Sequence, residues 1–296
     1  MRAGAVLALF FLPAMSAPAA DSRFEAVEPA MGTLFRITLY APGPEQAKIA
    51  FSRAFALAHQ LDDVFSDYRP SSELNRLCRA GNAAVSPPLF DILTLAHGLA
   101  RETGGAFDPT AGPVVKLWRE ARANRALPAA ADIDAALRRT GWRKVSLKAR
   151  RRSVRLGAPD MQLDLGGIAK GWAADRILAE LRRLGFPRAL VAASGDIAAG
   201  DPPPGLPGWR IAVAGGRVEV VRNAGVSTSG DAEQFVVLDG VRYSHIIDPR
   251  SGWALRDSSP VTVIAKNAAL SDALATALSV DPHLAIRRAH KVRILR

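Results

Sequence analysis

Four segments of the 296-residue chain bring together residue types that do chemistry. The most informative, MQLDLGGIAKGWAADR from Met161 to Arg176, reads as a short apolar strand that ends in Gly166 and Gly167 and passes directly into an amphipathic helix. Glycines let a ligand approach the backbone, the first helical turn offers unpaired N–H groups, and Lys170 stands one turn in, so the pattern suits a phosphate. It has neither Rossmann nor Walker spacing, and the same residues equally describe a purely structural strand-to-helix turn. In SDALATAL, Asp272 and Thr276 stand four apart, so a carboxylate and a hydroxyl share one helix face. Hard oxygens of this kind suit magnesium or calcium, particularly when a diphosphate completes the shell, while Ser271 and Asp272 also read as ordinary helix-start residues. STSGDAEQF from Ser227 and YSHIIDPRSG from Tyr243 crowd Ser229, Asp231, His245 and Asp248 among strands, and TGGAFDPTAGP from Thr103 adds Asp108. Both Asp-Pro pairs are also turn formers. No cluster has zinc spacing, and no serine has a nucleophile-elbow setting.

The elements that must position these residues follow from periodicity. Alternation from Met31 to Tyr40 predicts a first strand, closed by the turn Pro42 to Pro44. From Glu45, apolar residues recur at Phe51, Ala54, Phe55, Ala58, Leu61 and Phe65, which predicts the clearest helix. Glu73 to Arg79 reads as a helix end, and a second periodic run from Leu89 to Ala100 starts behind Pro87 and Pro88 and stops at Gly104 and Gly105. His97 on that run reads as a filler. Val145 with Leu147 and Val154 with Leu156 predict a hairpin around the basic turn Lys148 to Arg152. A stiff proline-rich loop precedes strands at Trp209 to Val213, Val218 to Arg222, Gly225 to Ser229, Phe235 to Leu238 and Val261 to Ala265, with turns at Gly215, Gly230 and Asp239 with Gly240. Leu270 to Val280 reads as a closing helix, and the class is α+β.

Composition narrows the function. With 49% hydrophobic and 23% charged residues the chain can bury a sizeable core and is not intrinsically disordered. The net charge of +11 would ordinarily favour nucleic acid or an acidic membrane surface. Nine basic and no acidic residues lie between Arg138 and Arg155, however, and five more basic residues lie in the tail, Arg287, Arg288, Lys291, Arg293 and Arg296; the rest of the chain holds 25 basic against 28 acidic residues. A solvated hairpin explains the first cluster, and only Trp142 is nearby to stack on a base, which argues against nucleic acid. Arg2, the apolar run Ala3 to Met15 and the small residues ending at Ala20 form the three parts of a secretory signal, so residues 1–20 are expected to direct export and 21–296 to form one domain. The run is shorter than the ~20 apolar residues of a comfortable membrane span; an uncleaved signal would still tether the protein to the inner membrane. Cys78 is the single cysteine, so no internal disulfide is available in an oxidising compartment.

Together and in this order, MGTLFRI, DYRPSSELNRL, GGAFDPTAGP, LDLGGIAKGWAADR, STSGD, HIIDPRSG and SDALATAL resemble the ApbE-type flavin transferases, the FAD:protein FMN transferases. The resemblance implies a single α+β domain with mainly antiparallel sheet and packed helices. It implies binding of FAD with magnesium, and transfer of FMN to a threonine hydroxyl of an exported acceptor protein, a respiratory redox subunit, with release of AMP. By position, Met31, Tyr68, Ala106, Phe107, Asp108, Asp164, Lys170 and Ile247 look like the FAD-contacting residues. Gly167, through its carbonyl, with Asp272 and Thr276 matches the metal ligands, and His245 resembles the candidate general base, whose ordinary pKa near 6.5 suits proton removal around neutrality. Ser244 and Asp248 are the neighbours that could orient its ring.

The chain departs from the family at ASGDIAAG from Ala193, where a glycine pair followed by asparagine is usual, at AEQF after SGD, and at its C-terminus, where the last sheet edge is expected to be missing or replaced. Two other functions remain alongside transfer. One is a magnesium-dependent FAD pyrophosphatase, with water in place of threonine. The other is a non-catalytic flavin-binding maturation factor for a respiratory enzyme, which the altered Ser194 to Asp196 loop would fit. Export predicts a periplasmic location.

Overall fold

The computed structural model describes residues 21–230, 235–256, 259–286 and 290–296. The signal segment 1–20, Asp231 and the tail residues Arg287 and Arg288 lie outside the described residues. The chain opens with an antiparallel hairpin, β1 (Ser22–Ala30) and β2 (Thr33–Ala41), whose turn places Met31 and Gly32 at φ 51° and 72°. Met31 is therefore a turn residue and not the start of the strand. β1 goes unread in the sequence because three charged residues interrupt SRFEAVEPA, and its extended form is set by pairing with β2.

Helices α1 (Pro44–Phe65) and α2 (Glu73–Ala80) follow, with proline at the first turn of α1 and Ser72 capping α2 through the Asn75 N–H. Next come β3 (Asn82–Ala84), α3 (Pro87–Glu102), α4 (Gly112–Asn124) and α5 (Ala130–Arg138). The basic hairpin forms as expected from β4 (Val145–Lys148) and β5 (Ser153–Leu156), with β3 on its far edge. α6 (Ala169–Arg183) leads into β6 (Ala189–Ala193), β7 (Asp196–Ala199), the hairpin β8 (Trp209–Ala212) and β9 (Val218–Val221), and β10 (Ala224–Ser229). β11 (Phe235–Leu238) and β12 (Val241–Ser244) pair around Asp239 and Gly240, both at positive φ. β13 (Val261–Ala265), α7 (Ala268–Val280) and β14 (Arg293–Leu295) complete the order.

Seven strands build one antiparallel sheet in the order β1-β2-β6-β7-β10-β13-β14. The edge beyond β13, expected to be missing or replaced, is occupied by β14, which pairs Thr262 with Leu295. One face of the sheet carries α1, α6 and α7 over a continuous core that includes Phe35, Ile37, Ile177, Val191, Val263 and Leu274. On the opposite face Trp209, Ile211 and Val221 of the β8–β9 hairpin close over Leu190, Ile197 and Ile264. A satellite core joins α4 and α5 to β11–β12 around Trp118, whose Nε1–H donates to the Gly252 carbonyl at 2.8 Å. α6 and α7 pack close because residue 171 is glycine; a Cβ there would lie 2.3 Å from the Ala268 carbonyl oxygen. Asp175 of α6 then accepts both the Ala268 and the Ala269 N–H, each at 2.8 Å, at the start of α7.

The segment from Met161 to Leu165 is not a strand. Its backbone bonds singly, Leu163 N–H to Cys78 Sγ at 3.3 Å and Asp164 N–H to the Pro109 carbonyl at 2.8 Å, so an apolar run reads like a strand but has no ladder to join. Among the described residues no helix is long and apolar enough to cross a membrane.

Candidate active site

Between the α6–α7 side of the main core and the α4/β11–β12 satellite opens a cleft of about 780 Å³. Eleven of the twelve residues singled out in the sequence line it: Tyr68, Ala106, Phe107, Asp108, Asp164, Gly167, Lys170, His245, Ile247, Asp272 and Thr276. Met31 is not among its lining residues; it packs against the main core from the β1–β2 turn.

One wall is the start of α6 against α7. Asp272 accepts the Gly171 N–H at 3.1 Å through Oδ2, and among the described residues no donor reaches its Oδ1. Burial, with the Asp196 carboxylate nearby, pushes its pKa up to about 7. Thr276 lies one turn further, and a Cβ on residue 167 would sit 2.9 Å from its Oγ1, so only glycine brings this backbone so near the hydroxyl. A buried carboxylate oxygen without a donor, a hydroxyl and the adjacent Gly167 backbone offer hard oxygen and neither nitrogen nor sulfur, a set that fits magnesium. Among the described residues no three His, Cys, Asp or Glu side chains cluster as a metal site, so a cation here would take its remaining ligands from a bound anion or water.

Lys170 pairs with Asp196 at 2.9 Å and donates to the Gly166 carbonyl at 3.2 Å. Asp196, Asp272 and Asp164 together hold its ammonium above the ordinary lysine range against the opposing pull of burial. Asp164 accepts the Gly166 N–H at 2.7 Å and pairs with Arg119 at 3.2 Å; burial raises its pKa, opposed by that guanidinium. Arg119 also pairs with Asp67 and lies over the Tyr68 ring at 4.4 Å. Tyr68 itself is 75% exposed, on a loop that Asn75 knits by donating to the Ser66, Asp67 and Arg69 carbonyls.

The opposite wall is made of loops. Asp108 accepts Thr110 N–H and Oγ1–H at 2.8 and 2.6 Å and the Trp142 N–H at 3.0 Å, so its carboxylate is consumed in holding the loop although burial raises its pKa. His245 follows β12, and Ile247 bridges to Ala254. The two neighbours expected to orient the histidine ring have other partners: Ser244 Oγ accepts the Ile246 N–H at 3.0 Å, and Asp248 pairs with Arg250 at 3.0 Å. Ser244 closes β12 and Asp248 opens the turn after it, and each takes a partner two residues on.

The ApbE family profile matches residues 31–293. The chain belongs to the ApbE family. It is 36% identical over 286 residues to the FAD:protein FMN transferase of Treponema pallidum, covering 87% of this chain and 78% of that protein. It is 32% identical over 287 residues to that of Vibrio cholerae, covering 90% and 85%. Among solved structures, the flavin transferase ApbE from Vibrio cholerae superposes with a TM-score of 0.81 at 30% identity, covering 93% of each chain. The ApbE protein of Thermotoga maritima gives a TM-score of 0.81 at 30% identity, covering 90% of this chain and 89% of that one.

Within this ApbE-family cleft, sequence reading missed Arg119, Arg122 and Asp196 as lining residues with structural consequence. Asp196 stood in a segment that departs from the family pattern, and it is the partner of Lys170. Its signal was the Ser194-Gly195 pair: a turn with Ser194 at φ 57° makes β6 and β7 a tight hairpin and brings Asp196 back over α6. The arginines carried no motif, and only the fold brings Arg119 of α4 to Asp67 and Asp164 and both arginines to the cleft.

Proposed function

We propose that the chain, an FAD:protein FMN transferase, uses magnesium to move FMN from FAD onto a threonine hydroxyl of an exported acceptor, with release of AMP. The observation that carries this reading is the convergence of Gly167, Lys170, Asp272, Thr276 and His245 on one cleft. The cation held by Asp272, Thr276 and the Gly167 carbonyl would supply Lewis-acid charge to the diphosphate. Lys170, fixed by Asp196, adds a positive charge that burial does not neutralise. Tyr68 and Phe107 offer aromatic faces and Ile247 an apolar one to the flavin ring. His245, from the wall opposite, takes the proton of the attacking hydroxyl. The threonine oxygen then bonds to the FMN phosphorus, the bond from that phosphorus to the bridging oxygen breaks, and AMP leaves with that oxygen.

Asp196 bears on the carrier alternative. The departure of its loop from the family pattern favours a carrier, yet Asp196 still holds the Lys170 ammonium in place at the cleft. With the 1–20 segment read as an export signal, the acceptor is a periplasmic or membrane-bound redox protein. The deciding experiment incubates the protein with FAD, magnesium and exported threonine-bearing candidates, following in-gel flavin fluorescence and AMP. Covalent flavin with stoichiometric AMP is expected. AMP and free FMN without acceptor would make the protein a pyrophosphatase, and bound FAD with no AMP at all would make it a carrier.

A further inference from the structure

The cleft contains three cationic side chains, and their partners differ. Lys170 is paired with Asp196, and Arg119 is shared between Asp67 and Asp164. Arg122 lines the same cleft half-buried, and among the described residues no carboxylate pairs with it and no acceptor takes its hydrogen bonds. It lies three residues beyond Arg119 on α4, so the two guanidinium groups share a helix face and repel each other. Partial burial, with that repulsion second, lowers its pKa from the ordinary arginine range. Arg119 is held by two carboxylates and, among the described residues, Arg122 by none, so an incoming anion would be the first direct partner of the Arg122 guanidinium.

The place of Arg122 in the fold selects which anion. Arg119 points from α4 toward Asp164 and Gly166, the side where the proposed diphosphate lies. Arg122 is one turn further along α4, near the phenol of Tyr68, which is 75% exposed. This is the mouth of the cleft, where a polypeptide arriving from solvent must lie while its hydroxyl reaches inward. Resting on the transferase reading, we propose that Arg122 is a specificity residue that binds the carboxylate of an aspartate or glutamate flanking the acceptor threonine.

The test uses the FAD-loaded protein with magnesium and a set of fluorescent threonine peptides that are identical except for one aspartate, asparagine or lysine at each flanking position. Binding is read by anisotropy and transfer by covalent flavin. At one flanking position, the aspartate peptide should bind and react about tenfold better than its asparagine analogue, the ratio that one charge-assisted contact supplies. Arg122→Gln should erase that preference, Arg122→Lys should restore most of it, and Arg122→Glu should turn it toward lysine, all with FAD affinity and melting temperature unchanged. Arg101→Gln, an exposed position outside the cleft, controls for net charge and should leave the preference intact. Peptides labelled without regard to flanking charge, or an unaltered preference in Arg122→Gln, would overturn this assignment while leaving transfer standing. Weaker FAD binding in Arg122→Gln would also overturn it, assigning the arginine to a phosphate of FAD. Bound FAD with no covalent flavin on any peptide, even as an exported protein acceptor is labelled, would show that no flanking carboxylate is recognised locally; absence of label on both would remove the transferase reading itself.

Discussion

Replacing Gly171 by alanine tests whether the α6–α7 contact sets the geometry of the oxygen site. The added methyl would lie 2.3 Å from the Ala268 carbonyl oxygen and 2.9 Å from Asp272 Cβ, where real Cβ atoms keep at least 3.0 Å. Backbone of α7 cannot turn aside as a flexible side chain would, so the helices must part by about 0.7 Å. The Gly171 N–H that donates to Asp272 at 3.1 Å would then stand at about 3.8 Å, beyond hydrogen-bond range, and Asp272 would move relative to Gly167. Overpacking costs about 1–3 kcal/mol, offset by the ~1 kcal/mol that alanine gains over glycine inside a helix. A melting temperature lowered by no more than a few degrees is therefore expected, while a displacement approaching 1 Å at the site should lower FMN transfer on the order of 10²-fold. The matched control is Gly98→Ala on α3, where a Cβ meets nothing within 4 Å; it should gain up to ~1 kcal/mol and keep full activity. Calorimetric titration with magnesium and FAD, beside a thermal melt and the transfer rate, separates the two effects. A Gly171→Ala protein with parental metal affinity and rate would refute the claim that this contact positions Asp272.

Asp272, with a pKa near 7 before any cation binds, must lose its proton to act as a ligand, so magnesium affinity should fall about tenfold per pH unit below 7 and level off above it. Titrations in buffers of different ionisation enthalpy should record release of close to one proton at pH 6, and a pH-independent affinity from 5.5 to 7.5 would contradict the assignment. Asp175 has a folded pKa of about 6, above the ordinary carboxylate value of 3.8, so the native state holds the extra proton between these values. Its contribution to stability is fully present below about pH 4 and is lost, by about 1–3 kcal/mol, as pH rises through 6. Denaturant unfolding should therefore show a steeper pH slope in that window for the parent than for Asp175→Asn, and equal slopes would exclude a perturbed Asp175. His245→Asn should keep fold and FAD affinity while lowering the transfer rate by roughly 10² to 10⁴. Near-parental transfer under saturating FAD and magnesium would remove the histidine from the chemistry.

Local chemistry was legible along the chain wherever one segment carries its own reason for its shape. The α1 stripe from Phe51 to Phe65, the prolines in the first turn of α3 and the Asp239-Gly240 turn need no distant partner, and each lies where periodicity or turn chemistry puts it. The ordered motifs likewise pointed to Gly167, Asp272 and Thr276 as one group, although the first and last are 109 positions apart. What pairs with what was decided only by the folded chain. β1 exists because β2 lies beside it, and Met161 to Leu165, with equally good strand composition, finds no ladder. Charge partners follow the same rule: Lys170 meets Asp196 through a hairpin turn, Arg119 of α4 meets Asp67 and Asp164 on two separate segments, and Ser244 and Asp248 bond to their own neighbours. Periodicity and turn preference act over a few residues, whereas burial and electrostatics depend on distances that close only when the sheet, α6 and α7 have packed.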